Sequence, residues 1–245
     1  MGQKIHPKLF RLATIYTWNS KWFAGRKTCA KFLEEDIKLR RFLEVRLKDA
    51  SVDDIAIDRD ANRITINIRS AKPGFIIGRS GSGIEELKKG IMKKFYAGTR
   101  VNVQINVKEV ASPALSARIV GQQIATEIEK RMPFRRSMKM SAERVMKAGA
   151  KGVKISVGGR LNGADIARLE RVTRGSIPLH NLRADVDFAR IRANTIWGVI
   201  GVKVWVYRGE VFDGDAAKSR EIEKPRRRGG RGRRALEGRD RDGRA

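Results

Sequence analysis

The run Ile76-Ile77-Gly78-Arg79-Ser80-Gly81-Ser82-Gly83-Ile84 constrains this chain more than any other stretch. Two glycines three residues apart, between apolar positions, allow a tight turn that another backbone can approach closely, because no Cβ stands in the way. Past the turn, Ile84, Leu87, Ile91 and Phe95 step by three and four residues, the spacing of an amphipathic helix. The amides of that helix's first turn face whatever docks on the loop, and with the helix dipole they favour a phosphate group. Taken alone the pattern is weak, since a glycine turn joining two elements needs no ligand.

The surroundings sharpen it. Phe32, Leu33, Ile37, Phe42, Leu43 and Leu47 recur at helical spacing between Thr28 and Leu47. Val52, Ile55 and Ile57, then Ile64, Ile66 and Ile68, read as two strands joined by the turn-like Asp58-Arg59-Asp60-Ala61-Asn62, a hairpin. After the second helix, Val101, Val103, Ile105 and Val107 alternate as a third strand. The order is helix, strand, strand, glycine turn, helix, strand. That order resembles a KH domain of the second topological type, whose Gly-x-x-Gly loop clamps the backbone of a single nucleic-acid strand. The candidate RNA-binding loop is Lys72, Gly78, Arg79, Ser80 and Gly81.

Charge points the same way. Lys and Arg number 54 against 27 Asp and Glu, a net charge of +27. Such an excess steers and holds a polyanion, whereas an ordinary solvated surface mixes signs nearer balance. The single cysteine, Cys29, excludes an internal disulfide framework, suits a reducing compartment, and reads as a half-buried structural thiol. Two histidines, His6 and His180, with one cysteine are too few for a typical zinc site, so no metal or other cofactor is expected. No apolar run has the length of a membrane span and no signal-peptide pattern is present, so a cytoplasmic protein without a membrane partner is expected.

Beyond Ser112-Pro113 a second α+β unit is predicted. Leu115, Ile119, Ile124, Ile128 and Met132 mark a long helix that Pro133 interrupts, and a further helix spans about Arg135 to Ala148. Val153, Ile155 and Val157 alternate as a strand, and Ala164 to about Arg174 reads as a short basic helix. Two more strands are predicted near 184–188 and 199–207. The first stretch, with Trp18, Trp22 and Phe23, is either an arm that orders on a partner or a segment whose aromatics pack on its own domain. From Lys224 to Arg234, seven of eleven residues are basic and none acidic, a composition that cannot fold alone. The expected partition is a basic arm (1–27), a type II KH domain (28–111), a C-terminal α+β domain (112–210) and a basic disordered tail (211–245). The fold class is α+β.

Several stretches together resemble the bacterial small-subunit ribosomal protein number three family. They are Gly2-Gln3-Lys4-Ile5-His6-Pro7, Lys72-Pro73-Gly74-Phe75-Ile76-Ile77-Gly78, Phe134-Arg135-Arg136-Ser137-Met138-Lys139, Gly158 to Ala164, Pro178 to Asp185 and Gly198 to Trp205. They run in the family's order over nearly the whole chain to about Glu210; only the tail falls outside. The resemblance implies a structural component of the ribosomal head that binds small-subunit rRNA, sits beside other small-subunit proteins and lies at the mRNA entrance. It implies that Arg135, Arg136 and Lys139 face incoming mRNA and help to separate paired message. It also implies rRNA contacts by Lys4, His6, Arg11, Arg160, Arg168 and Arg183. Phe75 and Arg79-Ser80 stand where many relatives carry an aliphatic residue and two lysines, which weakens the loop's hold on phosphate modestly.

Enzyme chemistry is not supported. A nucleotide-binding P-loop needs Gly-Lys-Ser/Thr after its glycines, and the stretch from Gly78 to Ile84 lacks that lysine. Asp53-Asp54 and Glu85-Glu86 read as surface charge rather than as a metal-binding carboxylate cluster. The competing reading is a free KH-domain regulator, for which a self-contained or repeated KH unit would be expected; one copy fused to a basic second unit is found.

Overall fold

The computed structural model describes residues 4–60, 62–96 and 101–212. The Gly2-Gln3 motif residues and the expected tail from residue 213 onward lie outside the described residues.

A helix α1 (Pro7–Phe10) and a two-residue strand β1 (Ser20–Lys21) precede α2 (Arg26–Arg46). Then come β2 (Val52–Arg59), β3 (Arg63–Ser70), a short α3 (Pro73–Ile77), α4 (Ser82–Phe95) and β4 (Asn102–Glu109). The sheet order is β1-β2-β3-β4, with β2 and β3 antiparallel and β3 and β4 parallel. A parallel pair needs a crossover, and α3, the glycine turn and α4 supply it. Alternation decides which face is covered. Ile55, Ile57, Ile64, Ile66, Ile68, Val103 and Ile105 point at Leu39 and Leu43 of α2 and Leu87 and Ile91 of α4. The opposite face is polar, with Asn67 Nδ2 donating to Asp58 and Asn106 Nδ2 donating to Asn67. The predicted element order holds; only α3 was not read from the sequence, being a single turn begun by Pro73.

The second half opens with α5 (Ala117–Glu129) and α6 (Phe134–Lys147), followed by β5 (Gly152–Gly159), β6 (Arg168–Gly175), β7 (Ala184–Thr195) and β8 (Gly198–Glu210). The sheet order is β6-β5-β8-β7, antiparallel throughout. Both helices lie on one face, where Ile124, Ile128, Phe134, Met138 and Val145 pack against Val153, Ile155, Val157, Val202, Val204 and Val206.

One predicted element is corrected here. Residues 168–175 form the edge strand β6, not a helix, pairing Val172 with Ile155 and Glu170 with Val157. Leu169 and Val172 stand three apart and imitate a helix face. The pairing surface that makes them a strand comes from β5, far away in sequence. Charges along β6 suit an edge, because they discourage pairing with another chain.

The N-terminal segment packs against both halves. Trp22 Nε1–H donates to buried Asp36 at 2.8 Å, and its ring meets Phe32 edge-on. The Tyr16 hydroxyl donates to Asp185, and the Lys8 ammonium pairs with Asp187 at 2.6 Å. Trp18 and Phe23 remain exposed, so of the three aromatics only Trp22 packs on its own chain. Asp53 is not plain surface charge either. It accepts from the Ser116 hydroxyl, which caps α5, while Asp187 accepts from the Ala117 amide at 2.7 Å. These contacts tie the two sheets together at the start of α5. Cys29 is exposed rather than half-buried, as is the whole first turn of α2 around it.

Candidate nucleic-acid interface

The glycine loop is built by its backbone. Gly78 takes φ +69° and ψ −175°, and a Cβ placed there would lie 2.8 Å from the Gly83 amide nitrogen. Gly81 takes φ +85° with no atom within 4 Å of where its Cβ would be, so that side of the loop is open to a docking strand. Ser80, between them, also takes a positive φ of +51°. The turn is anchored from below, since the Ser70 hydroxyl donates to Ala50 O at 2.6 Å and accepts from the Lys72 amide at 3.0 Å. Lys72 and Arg79 are exposed beside it. The Lys72 ammonium sits 5.7 Å over the Phe75 ring, which is 70% exposed. An exposed aromatic next to a phosphate-accepting turn offers a base a stacking surface. Sequence reading noted Phe75 only as a departure from the family; its exposure follows from α3, which buries Ile76 and turns Phe75 outward.

On α6, Phe134, Ser137, Met138, Ser141, Ala142 and Val145 face the core. Arg135, Arg136 and Lys139 are therefore brought together on the exposed face. The Arg135 guanidinium donates to Glu170 on β6 at 2.7 Å. That hydrogen bond, with the charges of Arg135 and Arg168, holds the Glu170 carboxyl below its ordinary value despite some desolvation. Arg168 thus belongs to the same cluster as Arg135, although the sequence assigned the two to different RNAs.

Among residues 38–115 the chain matches a model of the KH domain, and residues 124–206 match the C-terminal domain of ribosomal protein S3. It is 46% identical over 235 residues to small ribosomal subunit protein uS3 of Oenococcus oeni, covering 95% of this chain and 88% of that one. It is 50% identical to the uS3 proteins of Shouchella clausii and Enterococcus faecalis, each over 86% of this chain and 94% or 95% of theirs. The chain belongs to the uS3 family. A uS3 protein is a constituent of the small ribosomal subunit and not an enzyme.

The remaining residues expected to touch rRNA scatter across the uS3 fold. Lys4, Arg160, Arg168 and Arg183 are exposed. Arg160 is partly engaged, donating to Ala164 O at 3.1 Å and Asp165 at 3.0 Å. Arg11 is the correction. Its side chain is fully buried, and its guanidinium donates to the carbonyls of Pro7, Pro178, Leu179 and Asn181 at 2.8–3.2 Å. Buried, with Nε and both terminal nitrogens turned onto backbone oxygens, it is withheld from a phosphate and acts as a clamp on the 178–181 loop. His6 is half-buried, its ring edge-on to Phe188 at 4.8 Å between centroids. Burial, then the nearby Arg190 and Lys8, lower its pKa, so it is a packed neutral imidazole rather than a phosphate ligand.

Proposed function

We propose that this uS3 protein is built into the head of the small ribosomal subunit, binds its rRNA beside neighbouring ribosomal proteins, and lines the mRNA entrance. In this reading Arg135, Arg136 and Lys139 meet incoming message and help to separate paired strands, and the glycine loop with Lys72 and Arg79 holds a phosphate backbone. The observation that carries it is the division of α6. Its buried residues fix the helix to the sheet, so the three cations are free of any structural duty in the core. Guanidinium groups suit phosphates. Strand separation here needs no chemistry from the protein, because translocation pulls the message past a fixed charged surface.

Replacing Arg135, Arg136 and Lys139 by Ala tests the reading. Subunit assembly is expected to stay intact, and translation to slow on structured messages but not on unstructured ones. Equal loss on both would assign the three residues to rRNA instead.

A further inference from the structure

The chain links its two sheets twice. Residues 110–116 carry it from β4 to α5, and the N-terminal segment makes the second link, with Lys8 on β7 and β1 paired to β2. Where these links meet, two carboxylates from different sheets converge on the first turn of α5. Asp53 sits at the bulge in β2 between Val52 and Asp54, which re-aims its side chain, and it accepts from the Ser116 hydroxyl. Asp187 on β7 accepts from the Ala117 amide at 2.7 Å. A helix start attracts both, through its unpaired amides and its dipole.

That attraction does not balance the joint. Among the described residues, the carboxylates of Asp53, Asp185 and Asp187 meet there, and Asp187 is buried. Burial raises the Asp53 pKa, the Ser116 hydrogen bond opposes it, and the charge of Asp187 adds to the rise. Two cations face these acids. Arg208 on β8 lies 3.4 Å from Asp187 and 3.6 Å from Asp185, and it also donates to the Leu115 carbonyl just before α5. Lys8, 2.6 Å from Asp187, arrives on the N-terminal segment, and its charge favours the ionised form of Asp53 and Asp187 alike. Arg118 with Glu44 and Lys48 with Glu129 also pair across the halves, but near the surface, where ion pairs contribute little.

The geometry points to a latch: Lys8, carried by the N-terminal segment, supplies the charge that lets Asp53 and Asp187 share the start of α5, and so fixes the angle between the two sheets. Without that charge the two carboxylates repel across the joint, and a buried charge left uncompensated is strongly destabilising. Arg11 and Tyr16 still hold the segment to the second half, so loss of Lys8 opens the joint without releasing the segment. The angle matters because the glycine loop lies on one half and Arg135, Arg136 and Lys139 on the other, and the latch sets the span between them. That consequence rests on the proposed function; the latch itself does not.

The test uses the full chain without RNA, so its outcome is independent of the message assay above. Cys29, the only cysteine, is exposed on α2, and Lys147→Cys adds an exposed thiol at the end of α6. Spin labels on the two report the distance between the halves, which is expected to be single and narrow. Lys8→Met, at a side chain 40% exposed, should broaden that distance and speed exchange of the Ala117 amide on the order of tenfold. Lys8→Arg should keep the distance narrow. Asp53→Asn still accepts from Ser116 but carries no charge, so in the Lys8→Met background it should narrow the distance again. A role for Lys8 in packing alone predicts no such rescue. A distance that stays narrow in Lys8→Met, or a broadened distance or lost fold that Asp53→Asn does not reverse, would overturn the latch.

Discussion

Arg135 on α6 donates to Glu170 on β6 across 2.7 Å, while Arg136 and Lys139, on the same exposed face, make no ion pair with a described carboxylate. The three cations are therefore not equivalent. An exposed ion pair is weak and exchanges readily for a phosphate, but the exchange still has to break it. Arg135→Ala should cost less RNA affinity than Arg136→Ala. Glu170→Gln should free Arg135 and strengthen binding of a single-stranded probe at low salt, with the gain fading as salt rises. If Glu170→Gln weakens binding, the pair serves to orient Arg135 rather than to occupy it.

The two glycines of the loop should fail differently. At Gly78, any side chain both strains a φ of +69° and meets the Gly83 backbone, so Gly78→Ala should destabilise the first half by about 2 kcal/mol or more. At Gly81 there is open space, and Asp tolerates positive φ better than most residues. Gly81→Asp should cost about 1 kcal/mol in stability yet weaken single-strand binding roughly tenfold by placing a negative charge against the phosphate. Denaturant unfolding and a binding titration on the two variants separate the effects. Wild-type RNA affinity in Gly81→Asp would remove the loop from the binding surface.

Periodicity made most of the fold legible before any coordinates. The strict alternation of Ile64, Ile66 and Ile68 and of Val101 to Val107 reports a sheet covered on one face, and the 134–147 pattern reports a helix with one buried side. Reading failed where a partner distant in sequence decides the outcome. β6 carries too few apolar residues to show period two, and only its pairing with β5 makes it a strand. Arg11 looked like one more phosphate ligand because nothing local shows that carbonyls near residue 180 claim its donors.

The Arg11 clamp predicts a stability effect that ignores RNA altogether. Arg11→Ala would remove the guanidinium donor from the half-buried carbonyls of Pro178 and Leu179 and leave Asn181 O only the Ala184 amide, a loss of about 3 kcal/mol. Arg11→Lys should rescue little, because an ammonium cannot span the fork-like set of acceptors. Denaturant unfolding checks both, and hydrogen exchange should show the 178–181 loop opening first. A loss of RNA affinity with unchanged stability would return Arg11 to the RNA surface.

His6 gives the arm a pH dependence whose sign is fixed. Burial against Phe188, then the positive charges of Arg190 and Lys8, lower its pKa below the ordinary 6.5, with Asp187 opposing them. A group whose folded pKa is depressed binds its proton more weakly in the folded state. Its contribution to stability is therefore complete above about 6.5 and is lost as pH falls through the folded value. Asp187 acts in the same sense at lower pH. Burial raises its carboxyl, but Lys8, Arg208 and the Ala117 amide outweigh that and hold it below the usual carboxylate range. The midpoint of thermal unfolding should accordingly decline in two steps on acidification, the first from His6 and the second from Asp187. His6→Phe keeps an aromatic ring against Phe188 and cannot ionise, so it should abolish the first step and leave the second. A first step that survives in His6→Phe would assign it to another group, and the imidazole would then not be a packed neutral ring.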